Sequence, residues 1–237
     1  MVKLIHTADW HLGCHLDTLD RRNEHRLFLQ TLQMRLSAGD IDALLISGDV
    51  FDSANPPLTA QQDLFQFLLS ARNHCRTIIV IAGNHDSAAR LDTLAPLLQR
   101  VDIQCLGTFP NSPEIALFPV RDTGGAVTAA VAAVPYLRGA DLPVPSPGET
   151  PADTARRMTD AVQGIMRSLE ETHSARYGDT VPLIYMAHMF VRGGQATEES
   201  ERPVQTVAGN MVSLPPDIFP ASAAYVALGH LHRAQKI

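Results

Sequence analysis

Short apolar runs rich in β-branched residues recur along the chain, at residues 2–7, 43–47, 78–82, 183–187 and 225–228. Stretches with helical spacing of apolar positions separate them, an alternation that predicts an α/β protein. One helix is expected over residues 21–36, with Leu27, Phe28 and Leu32 inward and Gly39 as its stop signal. Thr59-Ala60-Gln61-Gln62 reads as a capping box opening a second helix whose apolar face is Leu64, Phe65, Leu68 and Ala71. A third is expected to start at Thr150, with Pro151 in its first turn, and to bury Met158, Val162, Ile165, Met166 and Leu169. A further strand is expected near residues 126–134, followed by a Pro-rich extended linker at 142–148. Residues 192–203 are polar and Gly-containing, a surface loop that could cover a site because it follows His188 directly.

Composition narrows the class. A chain of 237 residues that is 45% hydrophobic and 19% charged is an ordinary globular protein, long enough to bury about 70% of its extended surface. Its three cysteines, at 14, 75 and 105, form no CxxC pair, which points to reduced thiols in a cytoplasmic protein. The net charge of −6 provides no basic footprint, so any contact with nucleic acid must be local or assisted by metal. The N-terminal segment is unlike a secretory signal peptide, and no apolar run approaches the ~18 residues of a membrane span, so neither export nor a membrane is expected.

All five apolar runs stop at polar, metal-capable residues. They end at Asp9-Trp10-His11, at Gly48-Asp49-Val50-Phe51-Asp52, at Gly83-Asn84-His85-Asp86, at His188, and at Gly229-His230-Leu231-His232. Singly, a strand-end Asp caps a helix and a lone His is a satisfied polar residue. Together, Asp9, His11, Asp49, Asn84, His188, His230 and His232 collect at one edge of a predicted sheet. Carboxylate, amide and imidazole donors without thiolate suit Mn²⁺, Fe²⁺ or Zn²⁺ in a non-structural site. Seven donors exceed the need of one tetrahedral ion. If one carboxylate bridges, two ions ~3.5–4 Å apart can be held, the arrangement that clamps the attacking and leaving oxygens of phosphoryl displacement; Asp49 is the natural bridge.

The succession DxH, GDxxD, GNHD, an isolated His and GHxH resembles the calcineurin-like metallophosphoesterase superfamily. Residues 6–13, 48–52 and 227–235 are most similar to the nuclease subunits that bacteria pair with SMC-like ATPases. The resemblance implies a four-layer sandwich, two mixed β-sheets flanked by helices, with the metal centre between strand ends. It implies a first metal on Asp9, His11 and His232, a bridging Asp49, and a second metal on Asn84, His188 and His230. His85 would face the scissile phosphate and stabilise the transition state or protonate the leaving oxygen, with Asp86 hydrogen-bonded to it. The cofactors would be two divalent ions, Mn²⁺ foremost, and the reaction the exo- and endonucleolytic hydrolysis of DNA at ends and hairpins.

The implied partners are DNA, an SMC-like ATPase and a second copy of the chain, paired through helices near the second and third motifs. Residues 1–237 would then be a single nuclease core, without the capping domain and ATPase-binding helices of such subunits. Alternatives are a phosphoesterase for small phosphodiesters and a non-catalytic, ATPase-binding fragment. Asp52 stands where archaeal and eukaryotic relatives commonly carry a histidine that handles the DNA phosphate, and its role is left open. Trp10 is read as core packing beside the site, and Cys14 as no ligand.

Overall fold

The computed structural model describes residues 2–144, 146–194 and 213–237; most of the loop expected at 192–203 lies outside them, as does Pro145 of the linker. The elements are β1 (Leu4–Thr7), a small hairpin of β2 (His15–Leu16) and β3 (Leu19–Asp20), α1 (Arg22–Ala38), β4 (Ile41–Ser47), α2 (Leu58–Ala71), β5 (Cys75–Ile81), α3 (Ala88–Gln99) and β6 (Ile103–Leu106). There follow β7 (Leu117–Arg121), β8 (Val127–Val134), α4 (Pro151–Tyr177), β9 (Leu183–His188) and β10 (Tyr225–Gly229).

Two four-stranded sheets result, in the orders β1-β4-β5-β6 and β10-β9-β8-β7. Each is buried on both faces. In β4, Ala43 and Leu45 face the other sheet while Leu44 and Ile46 face α1 and α2; Ile79 and Ile81 of β5 divide from Ile78 and Val80 in the same way. A strand covered on both sides needs apolar residues at every position, which is why these segments read as continuous runs without alternation. Helices α1, α2 and α3 cover the first sheet through Leu29, Leu32, Leu64, Leu68 and Leu91. Val162, Met166 and Leu169 of α4 cover the second, and the Tyr185 hydroxyl donates to the Met166 carbonyl at 2.9 Å, pinning that helix to its sheet.

The four-layer sandwich is as expected, with one refinement. Only the second sheet is mixed, through the antiparallel pair β7–β8; every pair of the first is parallel, because each of its strands returns through a helix or a long crossover. Two helix details differ from expectation. The inward stripe of α1 is Leu29, Leu32 and Leu36, while Leu27 and Phe28 are exposed; Phe28 instead lays its ring edge-on to Trp10. Helix α2 begins at Leu58 after Pro57, whose carbonyl takes the Ala60 and Gln61 N–H groups, so Thr59 lies within the first turn and caps nothing. Thr150 does cap α4, in a reciprocal capping box with Asp153. Among the described residues, no helix is long and apolar enough to cross a membrane.

Candidate metal centre

Parallel pairing of β1, β4 and β5 in one sheet, and of β9 and β10 in the other, brings five C-terminal strand ends together. The loops leaving them are tightly wound. Asp9, His11, Asp49 and His230 all have positive φ, at 55°, 46°, 47° and 94°, a conformation that costs a non-glycine residue about 1–3 kcal/mol and persists where the surroundings dictate it. Backbone bonds from Asp9 N–H to the Gly48 carbonyl (3.0 Å) and from His11 N–H to the Asp49 carbonyl (3.0 Å) join the first two loops. Close approach is possible because glycines stand at the contacts. A Cβ on Gly83 would meet Asp49 Oδ1 at 2.0 Å, and one on Gly229 the Ser47 carbonyl at 2.0 Å.

The side chains then converge. His11 Nε2 lies 3.1 Å from His232 Nε2 and 4.0 Å from Asp49 Oδ2. His188 Nε2 lies 3.3 Å from Asp49 Oδ2 and 3.0 Å from Asn84 Oδ1, and His230 Nδ1 is 2.9 Å from that same amide oxygen. Asp9 accepts the His230 backbone N–H at 3.0 Å. Asp9, His11 and His232 form one group whose ligand atoms lie within 4.8 Å of one another, and Asp49, His188 and His230 form a second. All seven residues singled out from the sequence are thus brought together.

The donor set fits a divalent cation. A carbonyl can only accept, so His188 Nδ1–H donates to the Ser47 carbonyl at 2.8 Å, which leaves Nε2, facing Asn84 Oδ1 and Asp49 Oδ2, as the one ring nitrogen open to a cation. Burial lowers the His188 pKa but the Asp49 carboxylate outweighs it and raises it overall, so without metal a proton favours that place. Imidazole nitrogens and side-chain oxygens held this close to one another need a proton or a cation between them, and a divalent ion can serve several at once. Burial holds the His11 and His230 pKa values down at about 4, so both rings are uncharged near neutrality. Burial pushes the Asp49 carboxyl up, but its bond with His188 and the His85 backbone N–H outweigh this and hold it at about 2. Burial also raises Asp9, to about 6, with the nearby Asp49 charge adding to the effect. Near neutrality, then, the His11 and His230 rings are uncharged and the Asp49 carboxylate is ionised, the state in which such groups ligate metal.

His85 faces the same space, its ring edge-on to His11 at 4.8 Å, with its N–H donating to Asp49 Oδ1 at 2.8 Å. The expected bond from Asp86 to His85 is absent. Asp86 accepts instead from Gly83 N–H (2.8 Å), Phe51 N–H (2.9 Å) and Val50 N–H (3.2 Å), because its buried carboxylate lies beneath the loops where backbone donors would otherwise go unanswered. His85 Nδ1–H goes to the Asp52 carbonyl at 2.8 Å. Trp10 packs between Phe28 and Phe67, its indole N–H donating to the Thr7 hydroxyl. Cys14 lies outside the cluster, 3.6 Å from His25 Nε2.

Four contributors carried no sequence signal. The Ser47 carbonyl sets the His188 tautomer, a backbone role that any residue there could fill. Arg138 gathers the Gly83 and Asp86 carbonyls, at 3.1 and 2.8 Å, fixing the third loop from 52 residues away in sequence. Tyr136 and Phe190 stand edge-on to His188 and His230 and wall a small apolar cavity of about 60 Å³ beside them.

A two-sheet sandwich with such a cluster between its strand ends defines a metal-dependent phosphoesterase, and the chain belongs to the calcineurin-like phosphoesterase family, whose model matches residues 2–233. Among curated proteins it is similar to three SbcD subunits of the nuclease SbcCD. The identities are 39% with the one from Rhodobacter capsulatus, 36% with that of Bacillus subtilis and 29% with that of Escherichia coli K12. Each match covers 100% of this chain but only 59%, 58% and 57% of the relative, so the chain spans under three-fifths of their length.

Proposed function

We propose that the chain is the catalytic core of an SbcD-type nuclease, a phosphodiesterase that hydrolyses DNA at double-strand ends and hairpins in repair and recombination. Convergence of seven donors from five strand ends, with His85 beside them, carries this reading; the identity with the SbcCD proteins supports DNA as the substrate. Residues 1–237 act as one nuclease core in the cytoplasm, working with an SbcC-type SMC-like ATPase and as a homodimer.

Asp9, His11 and His232 would hold one divalent ion, Asn84, His188 and His230 a second, and Asp49 would bridge; Mn²⁺ suits this oxygen- and nitrogen-rich set. When bound, such ions neutralise phosphate charge and activate water at neutral pH. The chain's own groups do the rest. With Nδ1–H committed to the Asp52 carbonyl, the His85 ring has only Nε2 with which to contact the scissile phosphate; as the doubly protonated imidazolium it would give the Nε2 proton to the leaving oxygen and return to the neutral Nδ1–H form. Ser47, through its carbonyl, keeps His188 Nε2 turned inward, and Asp86 keeps the second and third loops in register.

The test is Mn²⁺-dependent cleavage of a labelled DNA hairpin and of bis-p-nitrophenyl phosphate by the chain and its Asp49→Ala variant. Cleavage of both substrates, lost in the variant, is expected. Hydrolysis of the small diester alone would refute the DNA substrate, and silence on both despite bound metal would refute catalysis.

A further inference from the structure

Asp52 lies three residues beyond Asp49, and the centre described above uses only its carbonyl. Its carboxylate faces the same site: Oδ1 lies 3.5 Å from His11 Nδ1. Building on the metal centre of the proposed function, we propose that Asp52 is a positioning residue whose carboxylate keeps the His11 proton on Nδ1, so that Nε2 stays open toward the ion shared with Asp9 and His232.

The chemistry follows from the two ring nitrogens. A neutral imidazole carries one proton, and the partner of one nitrogen decides which of them can bind metal. His11 Nε2 points inward, 3.1 Å from His232 Nε2 and 4.0 Å from Asp49 Oδ2. A proton on that nitrogen would abolish the ligand. For His188 the Ser47 carbonyl settles the matter, taking Nδ1–H at 2.8 Å. For His11 the group facing Nδ1 is the Asp52 carboxylate, an ion-pair contact at 3.5 Å whose negative charge favours the proton on that nitrogen and strengthens the imidazole as a donor.

Residue 52 thus serves two rings by separate atoms, the carboxylate for His11 and the backbone carbonyl for His85. A side-chain substitution removes the first and leaves the second. His11, Asp52 and His85 also offer ligand atoms within 4.8 Å of one another, the makings of a direct cation site. Two commitments argue against that: His85 Nδ1–H is held by the Asp52 carbonyl, and His11 would already ligate through Nε2. The Asp52 side chain is 44% exposed, so water screens it. The effect belongs at the low end of the 10–100-fold that outer partners of a ligating histidine provide, about tenfold.

Calorimetric titration of Mn²⁺ into the metal-free chain tests this, using wild type, Asp52→Ala, Asp52→Asn, His11→Ala and the His11→Ala/Asp52→Ala double variant, with thermal melts to verify folding. Wild type should take up two ions. Asp52→Ala should weaken one of them about tenfold, Asp52→Asn should recover most of the loss because its amide oxygen still accepts, and Asp52→Ala should have no effect on the ion that remains in the His11→Ala background. Wild-type affinity for both ions in Asp52→Ala would overturn the assignment, as would weakening of the remaining ion in the double variant. Three ions in wild type, one of them lost in Asp52→Ala, would instead make Asp52 a direct ligand. No Mn²⁺ uptake by wild type would refute the metal centre itself.

Discussion

The two ends of the sandwich handle charge in opposite ways. At the edge away from the metal centre, strands β6 and β7 border a groove of about 970 Å³ lined by Arg72, Arg76, Asp92, Asp102, Arg121 and others. It is far larger than the apolar cavity of about 60 Å³ beside His188 and His230. Yet its charges are answered locally. Asp92 accepts the Gly107 N–H at 2.7 Å, Asp122 those of Gly124 and Ala126, and Asp102 takes a guanidinium N–H of Arg72 at 2.8 Å. At the strand-end cluster, by contrast, imidazole nitrogens crowd against side-chain oxygens drawn from several loops. Asn84 Oδ1 is flanked by two imidazole nitrogens and Asp49 Oδ2 by His188. Concavity alone therefore does not locate chemistry; a convergence of imidazole, carboxylate and amide groups does.

The sharpest way to break this contrast is His85→Ala. If His85 moves a proton and binds no metal, the variant should lose about 10²–10⁴-fold in kcat on a DNA hairpin while calorimetry shows Mn²⁺ uptake unchanged. Full activity would remove His85 from the chemistry.

Next in size is a comparison of two glycines. Gly83→Ala places a methyl 2.0 Å from Asp49 Oδ1 and 2.2 Å from Asp49 N, against backbone that cannot yield. A loss of about 2–4 kcal/mol in stability is expected, together with weakened Mn²⁺ uptake. Gly125→Ala, in the turn bordering the groove, has φ +86° and nothing within 4 Å. It should cost only about 1 kcal/mol and leave metal binding alone. Denaturant titration and calorimetry on both variants would check the pair, and equal effects would mean that the strand-end loops are no tighter than an ordinary turn.

The smallest effect concerns a carboxylate that does have donors. Asp63 of α2 is buried and bound by Arg22 at 2.8 Å and Arg26 at 3.1 Å, both from α1, and the Arg22 hydrogen bond leads in holding its pKa below the usual 3.8. A lowered folded value means that the pair stabilises the protein fully above about pH 4 and that this contribution fades as pH falls through the lowered value. Asp63→Asn should cost about 1–2 kcal/mol near neutrality, since both guanidiniums also reach water. Melts of the two proteins should converge in acid, and a difference that persists there would point to packing as its source.

Much of this was legible beforehand because the signals are local. Five apolar runs each ending in Asp, Asn or His announced both the strands and the cluster, and Thr150 with Pro151 announced the start of α4. Less legible were features set by a neighbour's position. The inward stripe of α1 depends on how that helix lies against α2, so Leu29 and Leu36 displaced Leu27 and Phe28. Asp86 adjoins His85 in sequence, but its buried carboxylate turned to backbone donors of two loops.

By itself, then, the sequence determined the strand-and-helix alternation, the seven donors and their place at strand ends, because side-chain chemistry and period-based burial are properties of short segments. Tertiary structure decided which ring nitrogen of His85 and of His188 is turned to a backbone carbonyl, that one sheet is wholly parallel, and that Ser47, Asp52 and Arg138 shape the centre through contacts across 33 to 141 residues. Such contacts depend on distances between segments, and those are fixed only when the two sheets pack.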